Sequence, residues 1–404
     1  MTLNRHVYTS ITSNYLPKAR VLAESVKRAD PNTMFHLVLS DSLPVGWEAT
    51  SEPFDSVIYA HDLVTESFHS WAFGHSVVEM CTAVKGVALE YIFSEHSADQ
   101  VFYFDPDMVV FSRLDDLSEQ LAVCSIVLTP HLTDPDPTDM GIQDNELASL
   151  IHGVFNLGFL GVRNVPEGRR FSRWWANRLL DYCHDDIPRG LFTDQKWVNL
   201  APCFFDDVGV LRSPAYNVAT WNLATRKATG SLEDGICING EPLGFYHFSG
   251  FDSGDQITML ERYGKDSPVL YALRQWYIAE CERHGQSALG KLPSRYAAFD
   301  NGETIKNEQR ILYRQRIDLQ RAFPNPYQAQ GTGSYKAWYD AHPEEHPASG
   351  SVAVQSGVPM AAVLEDLARY FNSQLVTGVA RTRVKRAVLR LWIKFLMLAA
   401  AVAR

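Results

Sequence analysis

Apolar and polar positions along the N-terminal part of the chain alternate in a way that predicts strand and helix in turn. His6–Ile11 reads as a strand, Leu16–Arg28 as an amphipathic helix, Met34–Leu39 as a second strand and Ser56–Ala60 as a short third. Across Ser76–Ser94, the residues Val77, Met80, Val84, Val87, Ala88 and Tyr91 recur at helical spacing, and Gln100–Phe104 follows as a largely apolar, buried strand. Strands alternating with helices predict an α/β fold with a mostly parallel central sheet and helices on both faces. Ligands of such sheets bind beyond the carboxyl ends of the strands. Asp105-Pro106-Asp107 stands directly after one of them.

From Cys124 to Phe251 the pattern becomes mixed. Strand-like pieces at Ser125–Leu128, Gly158–Val162 and Gly244–Phe248 are separated by loops rich in Asp, Pro and Gly, notably Thr133–Gly141. Met259–His284 and Ile305–Leu319 read as helices, and Ala322–Tyr335 as a Pro/Gly/aromatic stretch. The expected organisation is a main domain over 1–270, a helical and aromatic extension over 271–341 packed on it, a linker over 342–358, and a basic amphipathic helix over 359–404.

Composition narrows the classes. The 404 residues are 46% hydrophobic and 21% charged, which excludes a disordered or collagen-like chain. A formal net charge of −10 argues against a general nucleic-acid binder, so nucleic acid is not an expected partner. The 6 cysteines form no CxxC pair, which speaks against a zinc site and for a reduced setting. Met1–His6 shows no signal-peptide pattern, and the apolar run Phe395–Ala403 falls short of the roughly 20 residues that a helical span needs. The expected location is therefore cytoplasmic.

Two carboxylates one residue apart at the end of a buried strand can both reach a hard divalent cation such as Mn²⁺ or Mg²⁺. Such an ion can neutralise a diphosphate leaving group. The alternative for Asp105 and Asp107 is a strand-terminal turn with an Asx cap. Asp134-Pro135-Asp136 has the same spacing but sits in a loop, where solvation is the expectation.

The run Phe102-Tyr103-Phe104-Asp105-Pro106-Asp107-Met108 resembles the metal-binding strand end of nucleotide-sugar glycosyltransferases of the GT-A fold. Later segments keep an order similar to the family 8 retaining glycosyltransferases. These are Phe155-Asn156-Leu157-Gly158, then Thr193-Asp194-Gln195-Lys196-Trp197-Val198-Asn199, then Trp221-Asn222, then Tyr246-His247-Phe248-Ser249-Gly250. The resemblance covers residues 6–251 and not 271–404. It implies Asp105, Asp107 and His247 as metal ligands, with the donor diphosphate completing the shell. It also implies Asn156 and Gly158 beside the donor sugar and acceptor, and Asp194 and Gln195 on the reacting face of the sugar. Without the family, His247 reads as a structural histidine and Asp194 equally as a helix cap.

Departures from the family pattern are specific. Leu157 replaces a Ser, Lys196 replaces the second Asp of its segment, and the Lys expected after His247-Phe248-Ser249-Gly250 is missing. Lys85, on the helix before the metal strand, is the expected substitute toward the donor, against the plain reading of a solvated helix residue. The acid that reads uracil gives way to Thr12 or Ser13, which leaves Tyr8, Thr9 and Asn14 as expected base or ribose contacts and UDP favoured.

Beyond the core, Phe323-Pro324-Asn325-Pro326-Tyr327 with Tyr335 and Trp338 reads as packing, or else as a platform for an acceptor sugar. From Ala380 onward Arg381, Arg383, Lys385, Arg386, Arg390 and Lys394 interleave with Val384, Leu391, Trp392 and Phe395, and no acid interrupts them. That pattern suits an anionic membrane surface at the inner face of a membrane, or a docking helix. The expectation is a metal-dependent transferase moving a sugar from a nucleotide-sugar donor to a glycan or lipid-linked acceptor, with retention, in surface polysaccharide assembly. The rivals are an inverting GT-A enzyme, a sugar nucleotidyltransferase and a non-catalytic glycan-binding module.

Overall fold

The computed structural model describes residues 3–64, 67–331 and 333–346. The expected basic helix over 359–404 and the greater part of the linker lie outside the described residues. Residues up to His346 form one compact unit, and the expected boundary at 270 falls inside the helix Pro268–Arg283.

Fourteen strands among the described residues frame the site. They are β1 (Arg5–Ile11), β2 (Met34–Leu39), β3 (Ser56–Tyr59), β4 (Gln100–Phe104), β5 (Met108–Val110), β6 (Ile126–Pro130), β7 (Phe155–Arg163), a short β8–β9 hairpin (Asp185–Asp186 and Leu191–Phe192). Next come β10 (Val208–Val210), a three-stranded sheet of β11 (Ala228–Ser231), β12 (Gly235–Ile238) and β13 (Glu241–Pro242), and last β14 (Phe245–His247). The central sheet has 7 strands in the order β10-β6-β7-β4-β1-β2-β3. All pairs are parallel except those of β7, which runs against β4 and β6. The expected fold class, a mostly parallel sheet with helices on both faces, is the one observed.

The strands are apolar on both faces because both faces are covered. Tyr8, Val101, Tyr103, Leu128 and Leu160 enter the core on one side, and Val7, Phe35, Phe102, Phe104 and Phe159 the core on the other. Several expected helices are broken. Ser76–Ser94 is two helices, Val77–Ala83 and Lys85–Glu95, the first opened by a capping box between Ser76 and Glu79. Met259–His284 is Asp255–Tyr263 and Pro268–Arg283, since Pro268 lacks an N–H and holds Ser267 extended. Ile305–Leu319 is Asn307–Gln315 and Ile317–Ala322, parted at the extended Arg316. At Gly86 the helix Lys85–Glu95 meets Pro166–Tyr182 so closely that a Cβ would lie 2.5 Å from Ala176 Cα. That contact seats Lys85 against the sheet.

Of the aromatic stretch, Tyr327 and Tyr335 are buried, with Phe323 and Trp338 packed against the same core. This is the packing reading. Asp136 is also buried rather than solvated. Its carboxylate accepts from the Thr138 N–H and hydroxyl and from Asn145 Nδ2, and so closes the loop before the helix Asp139–Gly141.

Between β1 and β2, His6 Nδ1 lies 2.7 Å from His36 Nε2, and His36 Nδ1 lies 2.6 Å from the Ser56 hydroxyl. Burial drives both imidazoles toward neutrality, His6 down to about 4 and His36 down to about 3. An unfolded histidine, with its ordinary value near 6.5, takes up a proton first as pH falls. The stability from keeping His36 neutral is therefore complete above about pH 6.5 and declines on acidification. By pH 4.5 the loss through His36 should reach about 2–3 kcal/mol. Chemical denaturation of wild type and His36→Gln across this range should give a shallower pH slope for the variant. Equal slopes would contradict this account.

Candidate functional site

The site is built by a turn and a strand pairing. β4 ends at Phe104, and the Asp105 N–H continues its ladder by donating to Gly158 O at 2.7 Å. The chain then turns through Asp105-Pro106-Asp107, closed by Met108 N–H to Asp105 O at 3.0 Å. β5 pairs antiparallel with β14, in a register that sets Met108 opposite His247. Phe248 N–H donates to Asp107 O at 2.8 Å, which fixes the two chains side by side.

The result is a convergence of Asp105, Asp107 and His247, whose ligand atoms all lie within 4.8 Å of one another. His247 Nε2 lies 3.1 Å from Asp107 Oδ1 and 3.9 Å from Asp105 Oδ2. Burial alone would discharge both partners. The charge and hydrogen bond of Asp107, together with Asp105, outweigh it and raise the His247 pKa above its ordinary value, and the imidazolium, its hydrogen bond and Lys18 in turn lower that of Asp107. To ligate a metal, Nε2 must give up this proton. Two carboxylates and one imidazole fit a divalent cation such as Mn²⁺. Gly158 supplies the clearance: a Cβ there would lie 2.6 Å from His247 Cε1 and 2.8 Å from Asn156 Oδ1.

Behind Asp105 sits a buried cation. Lys85 Nζ donates to Asp194 Oδ2 at 2.9 Å and Asp105 Oδ1 at 3.2 Å, and lies 4.1 Å from the centre of the Tyr103 ring. Burial opposes its charge, yet Asp105 and Asp194 hold its pKa well above the ordinary value. Burial also pushes the Asp194 carboxyl upward, against the pull of Lys85. Tyr103 was not singled out from the sequence. Its hydroxyl donates to Asp105 Oδ1 at 2.5 Å, and its place two residues before Asp105, on the same face of the strand, is the signal that could have found it. Asp194 does not cap the following helical turn: Gln195 holds the cap position. Thr193, at φ 44°, bends the chain so that the Asp194 carboxylate turns inward to Lys85.

Around these groups opens a cleft of about 1140 Å³. Asn14, Lys85, Asp105, Asp107, Asn156, Asp194, Gln195 and His247 all line it. Tyr8 and Thr9, expected at the base or ribose, do not. Both are fully buried along β1, where side chains on either face enter a core, and Tyr8 donates to Lys85 O at 3.0 Å. Only Ser10, Ile11 and the turn after them reach the cleft. Gln195 is braced at both ends of its amide: Oε1 accepts from Leu157 N–H at 3.1 Å and Nε2 donates to His152 O at 3.2 Å. Asn156, expected against the sugar, lies with Oδ1 3.2 Å from His247 Nδ1. Lys196 donates to Ile151 O at 2.7 Å and does not line the cleft. Trp221 sets its ring nearly perpendicular to His247, with centres 5.3 Å apart, and donates to His131 O at 3.2 Å. Burial holds the His131 imidazole neutral, down to about 4. No sequence signal marked His131.

No protein-family model matches the chain. It is similar to two Bacillus subtilis (strain 168) proteins described as uncharacterized. YfnF is 26% identical over 215 residues, 52% of this chain and 70% of that one. YfnD is 30% identical over 176 residues, 43% of this chain and 54% of that one, so the match spans about half of YfnD. Among solved structures, the galactosyltransferase LgtC in complex with donor and acceptor sugar analogs aligns at TM-score 0.39 and 16% identity, over 72% of this chain and 97% of that one. The glycosyltransferase GlyE of Streptococcus pneumoniae TIGR4 aligns at TM-score 0.40 and 16% identity, over 74% and 67%. Overlaps at that TM-score assign no activity.

The clearance at Gly158 generates a test. Gly158→Ala should displace His247 and weaken Mn²⁺ binding by roughly 10–100-fold, while the far-ultraviolet circular dichroism stays that of wild type. Mn²⁺ titration followed by electron paramagnetic resonance measures it. Unchanged affinity would show that His247 is not held where the binding requires it.

Proposed function

We propose that the protein is a metal-dependent glycosyltransferase of the GT-A type. It takes a sugar from a nucleoside diphosphate sugar, UDP favoured, and passes it to a glycan or lipid-linked acceptor with retention of configuration, in surface polysaccharide assembly. One observation carries the reading: Asp105, Asp107 and His247 converge at the carboxyl end of β4, on the wall of a cleft large enough for a nucleotide sugar. The order of the motifs along residues 6–251 supports it independently.

A divalent cation held by these three residues supplies positive charge to the diphosphate leaving group. The chain's own residues do the rest. Asn14, on the turn after β1, lines the cleft and would contact the nucleoside. Lys85 neutralises Asp194 and Asp105 and so keeps two carboxylates at the cleft wall without mutual repulsion. Asp194, which lines the cleft, would meet positive charge developing on the sugar. Gln195, tied to the backbone on both sides, keeps that wall rigid. Trp221 and His131 complete the wall near His247.

Among the described residues no helix is long and apolar enough to cross a membrane. The cationic run after Ala380 is what supports a peripheral place at an anionic membrane, where each basic residue near the surface contributes about 1 kcal/mol.

Two measurements separate the roles. With UDP-sugars and Mn²⁺, wild type should release UDP, and Asp107→Ala should fall to the level of the chelated control. Asp194→Asn should keep wild-type Mn²⁺ affinity and lose roughly 100–1000-fold in kcat. Release of pyrophosphate from UTP and a sugar 1-phosphate, with no UDP released from UDP-sugars, would overturn the reading in favour of nucleotidyl transfer. For the tail, the full chain should sediment with anionic liposomes at low salt and not with neutral ones. Failure to sediment with either would make it a docking segment.

A further inference from the structure

Histidine presents two different nitrogens, and only a fixed tautomer offers a chosen one to a metal. Hydrogen positions follow here from groups whose roles are not ambiguous. The Gly158 backbone N–H can only donate, and the atom 3.3 Å from it is Asn156 Oδ1. The Leu157 backbone N–H donates to Gln195 Oε1 at 3.1 Å, which fixes that oxygen as an acceptor. Asn156 Nδ2, 3.3 Å from the same Gln195 oxygen, is therefore the donor end of its amide. Its other neighbour is His131 Nε2 at 3.2 Å, which accepts from it.

Two main-chain N–H groups thus set the Asn156 amide without reference to His247. Oδ1 then faces His247 Nδ1 at 3.2 Å and demands a proton there. With Nδ1 protonated, the lone pair of the neutral ring lies on Nε2, the nitrogen that points at Asp107 and Asp105. We propose that Asn156 is a positioning residue for His247: its amide, locked by Gly158, Gln195 and His131, holds the imidazole in the tautomer that presents Nε2 to the metal. The residue is 7% exposed, and its carbonyl oxygen is occupied on the protein side, which leaves little of it for a sugar. An amide in place of the carboxylate often found behind a metal-bound histidine orients the ring without adding a third negative charge to the pair already present.

This inference rests on the reading of Asp105, Asp107 and His247 as metal ligands, and its test keeps the two apart. Mn²⁺ binding is followed by electron paramagnetic resonance in wild type, Asp107→Asn, Asn156→Leu and Asn156→Asp. Wild type should bind one ion and Asp107→Asn none. Absence of binding in wild type would defeat the ligand reading itself. Asn156→Leu, which cannot accept from Nδ1, should bind roughly 10–100-fold more weakly. Asn156→Asp, which still accepts from Nδ1, should stay within a few-fold of wild type. Nitrogen-15 imidazole shifts of the Mg²⁺-loaded proteins, in which the cation replaces the Nε2 proton held by Asp107, should show Nδ1–H at His247 in wild type and Asn156→Asp, and a mixture in Asn156→Leu. Wild-type affinity in Asn156→Leu, or equal loss in Leu and Asp variants, would overturn the positioning role.

Discussion

Three carboxylates are brought to one wall of the cleft, and the fold can hold them there only because each has a cation against it. A buried ionised group without a partner costs several kcal/mol. Asp194 and Asp105 share Lys85, while Asp107 takes His247. Much of the surrounding structure serves those pairings. The close contact at Gly86 seats Lys85, the left-handed Thr193 turns Asp194 toward it, and the β5–β14 register delivers His247. Gly158 keeps the space into which the imidazole fits.

This arrangement separates two kinds of charge. Lys85 is enclosed by Asp105, Asp194, the Leu157 carbonyl and the Tyr103 ring, so its charge is committed to the protein. The proton on His247 is different, since it lies between the imidazole and carboxylates that line open cleft. A divalent cation bound there would take the place of that proton. The sequence expectation that Lys85 replaces the missing late lysine toward the donor therefore meets a side chain already engaged with two acids.

Legibility in the sequence followed the strength of local signals. β4 and the acidic turn were readable because an uninterrupted apolar run marks a strand buried on both faces, and its end marks a ligand-binding edge. The same property hid the fate of Tyr8 and Thr9. On a strand covered from both sides no alternation tells which side chain reaches the cleft, and neither does. Helix boundaries failed where the apolar period ran on past Val84 or Pro268, because backbone turns there leave the hydrophobic spacing intact. His247 was reachable only through family order, since the contact with Asp107 depends on strand pairing across more than a hundred residues of chain. The partners of the Asn156 amide, a glycine N–H and three distant side chains, leave no trace in a one-dimensional pattern.

On the proposed reading, Asp105, Asp107 and His247 hold a divalent cation at the wall of the cleft. Anomalous diffraction at the manganese edge, from crystals soaked with Mn²⁺ and UDP, addresses it most directly. One strong peak is expected in coordinating contact with Asp105 Oδ2, Asp107 Oδ1 and His247 Nε2, with diphosphate oxygens on its open side. A map with no peak there, and His247 Nε2 still resting against Asp107, would contradict it.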